Sequence, residues 1–568
     1  MTIQAGPPEL KPTHPDETKP GLNKIVVRTV HYGLQKMLME KDVPVKMRDG
    51  VTLYLNVFRP DKPGKFPVVM SADVYGKDSL PSYEDRRPVW PTIGVVQTSL
   101  FAPFESPDPG FWVPNDYALL KLALRGSSNS EGAIYPLSSM EAKDYYEVIE
   151  WAGVQEWSNG NVGTNGVSYL AMTQWPVASL NPPHLRAMIP WEGVSDLYRE
   201  WAFHGGIPDT GFFRTWAEGQ KTRWPGREIE NLLLMQKEHP LFDEYWEGKQ
   251  AKLSKIKVPM YVGASWSTQG LHNRGTLEGF KQSASEHKWL EVHGRKEWEY
   301  YFHRETLERQ KRFFDYFLKG IENDWMDMPR VRLEVRERFF YGTTRLENEW
   351  PLARTKYTKL YLDSKKMALR PSSVRDEAKV SYSTQSSKGD KQSAVFKITF
   401  DKDTELTGYM KLKLWVSANG SDDMDLFVGV KKFDRRGDEV HFPDFNHIEH
   451  GQVANGWLRV SHRELDEERS TPYQPWLKHE KLLKLKEGEI VPVEIEVLPS
   501  STLFNAGESL RLVVQGSELI TKGGTIVTKS FGVRRYQHME TVNKGEHIIF
   551  TGGKYDSHLL VPVIPRKD

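Results

Sequence analysis

Residues Gly163-Thr164-Asn165-Gly166-Val167-Ser168-Tyr169 constrain this chain more than any other segment. A serine two places after a glycine, between a strand and a helix, marks a sharp and strained turn that lifts the hydroxyl clear of a sheet. Asn161-Val162-Gly163 reads as the end of a buried strand, and Tyr169–Trp175 as the helix that follows. The pattern is G-x-S-x-x-A, because Leu170 stands where a last glycine is usual and Ala171 comes next. A Gly-x-Ser by itself also suits an ordinary turn serine, so its meaning depends on its surroundings.

Those surroundings are too long for one core. A chain of 568 residues is expected to form two or three domains. Its 77 basic and 76 acidic residues are well mixed, which argues against nucleic acid or a charged membrane surface as partner. With no cysteine, disulfides, a thiol nucleophile and cysteine metal sites are excluded. The start is polar and proline-rich, unlike a signal peptide, and no long apolar run reads as a membrane span. The expectation is a cytoplasmic chain, with a homo-oligomer left open. Neither cofactor nor metal is expected: Asp422-Asp-Met-Asp425 lacks the glycine and distal glutamate of a calcium loop, and the histidines at 441, 447 and 450 have no ligand spacing.

Apolar patterning then divides the chain. Residues 1–40 read as an N-terminal arm, loosest over 1–22. Residues 43–60 alternate apolar and polar on both sides of Asp49-Gly50, a hairpin signal. Phe66–Met70, Tyr117–Leu124, Leu185–Trp191, Val258–Gly263 and Trp289–His293 read as buried strands, with a helix over Ser139–Trp151 and another over Glu305–Lys319 stopping at Gly320. Strands alternating with helices predict a parallel sheet, in two parts over 41–196 and 256–330. Residues 197–255, rich in Trp, Glu and Lys, interrupt it as a helical cap. From 331 to 568 the strands have period two between Gly, Pro and Asp turns, which predicts an all-β domain of jelly-roll type.

Motifs in both halves converge on one family. Met47-Arg-Asp-Gly-Val-Thr-Leu, Arg125-Gly-Ser-Ser-Asn-Ser-Glu-Gly132, Gln155-Glu-Trp157-Ser-Asn-Gly160, Gly166-Val-Ser-Tyr169 and Pro183–Gly193 stand in its order and spacing. So do Gly408–Trp415, Asp422–Asp425, Gly456–Arg463 and Ala506–Arg511. From about residue 40 to about 550 the chain resembles the cocaine esterase / X-Pro dipeptidyl-peptidase (CocE/NonD) group of serine hydrolases. The resemblance implies an α/β-hydrolase core with a helical cap and a C-terminal jelly roll. It also implies a small-molecule or short-peptide ester or amide as substrate, cleaved through an acyl-serine by hydrolysis or acyl transfer. An Xaa-Pro peptidase is the weaker expectation.

The same resemblance assigns roles. Ser168 is the nucleophile. His293, at the end of a strand, is the base, with His303 as competitor. The backbone N–H of Tyr169 and the hydroxyl of Tyr75 are the oxyanion donors. The family's aspartate falls on Thr268, which can hydrogen-bond an imidazole but carries no charge. Three readings stay open at that position: a substitute acid, Glu192 with Asp196 behind it; a serine–histidine dyad; or a catalytically impaired relative that acts as a binding protein.

Overall fold

The computed structural model describes residues 26–32, 35–78, 94–384, 392–444, 448–519 and 537–565; the expected loose arm over 1–22 lies outside them. The first half is built on β1 (Val26–Tyr32), β2 (Gln35–Lys46), β3 (Thr52–Pro60), β4 (Phe66–Asp73), β5 (Ala118–Ala123), β6 (Ser158–Val167), β7 (Leu185–Trp191), β8 (Met260–Ser265), β9 (Lys288–His293), β10 (Val331–Arg338) and β11 (Tyr341–Glu347). The order across the sheet is β1-β2-β3-β5-β4-β6-β7-β8-β9-β10-β11. All pairs from β5 to β10 are parallel, while β1 to β3 and β11 run antiparallel to their neighbours. Residues 26–40, expected as part of an arm, thus supply a strand pair to the sheet edge.

Every residue of β4, β5 and β8 is buried, because helices cover both faces of the sheet. The helix Ser139–Gly153 is capped by Ser138, whose side chain accepts from the Glu141 N–H. The helix Arg304–Lys319 ends where Gly320 turns left-handed at φ 66°. The strand read as ending at Gly163 runs on to Val167, so the turn falls on Ser168 itself. Residues 197–255 form a π-helical turn, Tyr198–Ala202, two short strands and the helices Phe212–Arg223, Leu232–Glu238 and Glu244–Glu247.

After β11 the described residues form strands and one short 3₁₀ turn, Val460–His462. Thr404–Asn419 pairs antiparallel with Val491–Phe504, Glu546–Thr551 and His558–Ile564, and Asp425–Phe433 lies between Ala454–Arg459 and Ser509–Gln515. Leu412, Leu414, Val428, Val430, Ile495 and Leu512 fill a core separate from that of the first half. The halves are joined through β10, where Arg336 pairs with Thr502, and through a cluster of Ile207, Phe427, Trp457 and Leu498.

Buried histidines line this junction. His204 Nδ1 is 2.9 Å from His538 Nε2, and the Nδ1 atoms of His462 and His479 are 3.1 Å apart. Burial holds His204 down to about 3 and His462 to about 4, and pushes His479 well below the ordinary 6.5. Above pH 6.5 folded and unfolded chains both keep these rings neutral. As pH falls below 6.5 the unfolded chain takes up protons that the folded chain refuses, so stability is lost progressively towards pH 4. Urea midpoints should therefore drop steeply over that window, and His462→Asn should flatten the slope.

Candidate active site

Ser168 occupies a backbone conformation (φ 57°, ψ −120°) that costs on the order of 1–3 kcal/mol for a residue with a side chain. The turn is held from outside. The Ser168 N–H donates to the Trp191 and Glu192 carbonyls at 3.0 and 2.9 Å, and its own carbonyl accepts from Ala171 and Met172. Gly166 sits at φ 152°, and a Cβ there would lie 2.5 Å from Leu170 Cβ. The glycine before the serine is thus required by the side chain standing where the last glycine is usual.

Ser168 Oγ lies 3.2 Å from Nε2 of His272. This histidine follows β8 and immediately precedes the helix Asn273–Gln282. Its loop is closed by the N–H groups of Leu271, His272 and Asn273, which all donate to the Thr268 carbonyl, and by Asn273 Nδ2 on the Ser265 carbonyl. Nδ1 of His272 lies 3.2 Å from Oε1 of Glu297, at the start of the short helix Glu297–Tyr301 after β9. Burial lowers His272 to about 4, against an opposing pull from Glu192, so the ring is neutral at pH 7 and able to take a proton.

The C-terminal domain grips the same loop. Gln269 Oε1 accepts from the Asn455 N–H at 2.7 Å, and Gln537 Nε2 donates to the Gly270 carbonyl. Arg274, two residues past His272, spans Glu200 at 2.9 Å and Glu496 at 2.9 Å. Removing Arg274 would leave the buried Glu200 carboxylate without its cation, a loss of about 3–5 kcal/mol, and free the half-buried Glu496. Arg274→Ala should show it as a lowered urea midpoint together with weakened esterase activity, because His272 rides on the same helix.

His293 is not brought to Ser168. Its Nε2 is 3.0 Å from Glu192 Oε1 and its Nδ1 accepts from the Arg295 N–H at 3.2 Å, so both ring nitrogens face elsewhere. His303 is exposed before the last helix. Thr268 Oγ1 donates to Glu192 Oε2 at 2.8 Å, and Asp196 is engaged by Arg199 at 2.9 Å and Gln250 at 2.8 Å. Glu192 stands beside His293, whereas His272 and Glu297 were not among the expected site residues. Each stands four residues past an expected position, His272 after Thr268 and Glu297 after His293. A histidine thus stands in the loop where an acid was expected, and a carboxylate in the loop where a histidine was expected. The one sequence signal for this was a histidine in a loop that lacks any carboxylate.

Tyr75 follows β4, and its N–H with that of Gly76 donates to Asp73, whose other oxygen is bound by buried Lys121. Trp216 Nε1 donates to Tyr75 Oη at 3.0 Å, leaving the phenolic proton available. Burial, with the charge of Glu105, raises the Tyr75 pKa well above 10, so the group stays a donor. Tyr169, as the first residue of its helix, has an N–H with no intrahelical acceptor. Its ring stacks on Trp216 at 5.5 Å and its hydroxyl is held by Glu141, which burial raises to about 8. Tyr75, Phe104, Tyr169, Trp201 and Trp216 form a continuous aromatic group.

A parallel sheet with a strained serine after β6, and a histidine on that serine, defines an α/β serine hydrolase. Residues 49–296 match the family model of X-Pro dipeptidyl-peptidase (S15 family), and residues 323–560 that of the X-Pro dipeptidyl-peptidase C-terminal non-catalytic domain. A CocE/NonD family hydrolase from Staphylococcus aureus is 60% identical, with a TM-score of 0.91 over 99% of each chain. Cocaine esterase of Rhodococcus sp. is 24% identical over 92% of this chain and 98% of its own length. An α-amino acid ester hydrolase shares the fold, with a TM-score of 0.68 at 15% identity over 99% of this chain and all of its own. The chain belongs to the CocE/NonD family of serine hydrolases, enzymes that cleave ester or amide bonds. These relatives give no support to a binding-only protein. No described helix is long and apolar enough to cross a membrane.

Proposed function

We propose that this chain hydrolyses a carboxylic ester or amide of a small molecule or short peptide, with Ser168 as nucleophile, His272 as base and Glu297 as its acid. The observation that carries the reading is the 3.2 Å contact of Ser168 Oγ with His272 Nε2. His272 Nε2 takes the serine proton as Oγ attacks the carbonyl carbon, and returns it to the leaving alcohol or amine. Glu297 faces Nδ1, which favours the tautomer with its proton there and steadies the imidazolium. Water, deprotonated by the same ring, then releases the acid from the acyl-serine. The Tyr169 N–H and Tyr75 hydroxyl receive the negative charge on the carbonyl oxygen.

Residues 197–255 are read as the helical cap, 256–330 as the second part of the core, and 331–568 as a jelly roll. The cap's Trp201 and Trp216, beside Tyr75 and Tyr169, suit an apolar or aromatic acyl group. A fluorophosphonate probe should label the native chain at Ser168 and leave Ser168→Ala unlabelled; equal labelling of both would overturn the assignment. Tyr75→Phe should lower kcat for an aryl ester by about 10²-fold with little change in KM, since the donor acts on charge that develops only in the transition state.

A further inference from the structure

We propose that Glu192, His272 and Glu297, with His293 beside them, bind a divalent transition-metal ion of the Zn²⁺ class, and that this ion switches Ser168 off. Ligand atoms of Glu192, His272 and Glu297 all lie within 4.8 Å of one another, and all three side chains are buried. His293 adds Nε2 at 3.0 Å from Glu192 Oε1. The imidazole and two carboxylates of that group are nitrogen and oxygen donors of the kind zinc takes, with His293 standing next to them as a neighbour of Glu192.

The contacts that serve the triad also have the spacing of ligands around one cation. His272 Nδ1 is 3.2 Å from Glu297 and His293 Nε2 is 3.0 Å from Glu192. Yet His272 Nδ1, His293 Nε2 and Glu192 Oε1 are buried with no partner in hydrogen-bonding geometry. Tetrahedral bonds of about 2.0–2.1 Å place neighbouring ligand atoms about 3.3 Å apart, close to both distances. The outer contacts also suit ligands: Thr268 fixes the second oxygen of Glu192, and the Arg295 N–H holds the far nitrogen of His293.

The consequence for Ser168 follows from the tautomer. A metal on Nδ1 of neutral His272 leaves the ring proton on Nε2, facing Ser168 Oγ. That nitrogen then donates and cannot accept the serine proton. The inhibitory step rests on His272 being the base; the binding step does not.

Zinc should therefore be titrated calorimetrically into the metal-free, full-length Ser168→Ala chain, where catalysis plays no part. One ion per chain is expected, with affinity falling at least about tenfold in Glu192→Gln and in His293→Gln, each on the Ser168→Ala background and checked for folding. Cobalt in place of zinc should give the intense visible bands of a four-coordinate site. In the native chain, saturating zinc should abolish fluorophosphonate labelling of Ser168, and EDTA should restore it. No binding, or binding unchanged in both folded variants, overturns the proposal. Failure of labelling in metal-free enzyme would instead overturn the serine assignment and leave the titration standing.

Discussion

His272→Gln should cut turnover of an aryl ester by about 10⁴-fold, equivalent to about 5.5 kcal/mol, and slow fluorophosphonate labelling of Ser168 in parallel. Glutamine keeps most of the volume and a polar end but cannot take the proton from Oγ. KM should change little, because the lost interaction matters chiefly once the serine attacks. His293→Gln should cost about tenfold at most, since its ring faces Glu192 and the Arg295 N–H and acts on Ser168 only through neighbours. Glu297→Gln should fall between them, because an amide orients Nδ1 without stabilising the imidazolium. Reversal of the first two results, with His293→Gln inactive and His272→Gln active, would return the base to the strand end where the resemblance put it.

The strained turn at Ser168 was legible because a backbone requirement is written locally. Gly166 must lack a Cβ where Leu170 presses on it, and those residues are neighbours in sequence. The strands were legible for a related reason: a sheet covered on both faces needs unbroken apolar runs, as in β4, β5 and β8. Tyr75 was expected at a strand end and lies two residues after β4. The base was not legible. What sets His272 against Ser168 is a loop fixed by Asn455, Gln537 and Glu496, residues far along the chain in the other domain. No pattern near Gln269-Gly270-Leu271-His272 reports that grip. The C-terminal domain thus holds the loop that carries His272 as well as packing on the first half.

Thr268→Asp should weaken the enzyme instead of repairing it. On the family pattern the aspartate would complete a triad with His293, so a gain in turnover is the naive expectation. In the structure Thr268 is buried, and its hydroxyl donates at 2.8 Å to Glu192, itself fully buried. An aspartate in that place removes a donor and sets two carboxylates side by side out of water. Both cannot stay ionised there, and one must take a proton that folding then has to hold. A buried charge left unpaired costs about 3–5 kcal/mol, which should appear as a lower urea midpoint near neutral pH and recover in part on acidification, as that proton is supplied. Turnover should fall with it, because the Thr268 carbonyl caps the turn that presents His272 and Glu192 backs the strained turn at Ser168. Thr268→Ser, which keeps the hydroxyl, should retain both activity and stability. A rise in turnover for Thr268→Asp would mean that His293 swings to the serine once an acid stands at 268. The pairing of Ser168 with His272 would then be only one of two arrangements open to the site.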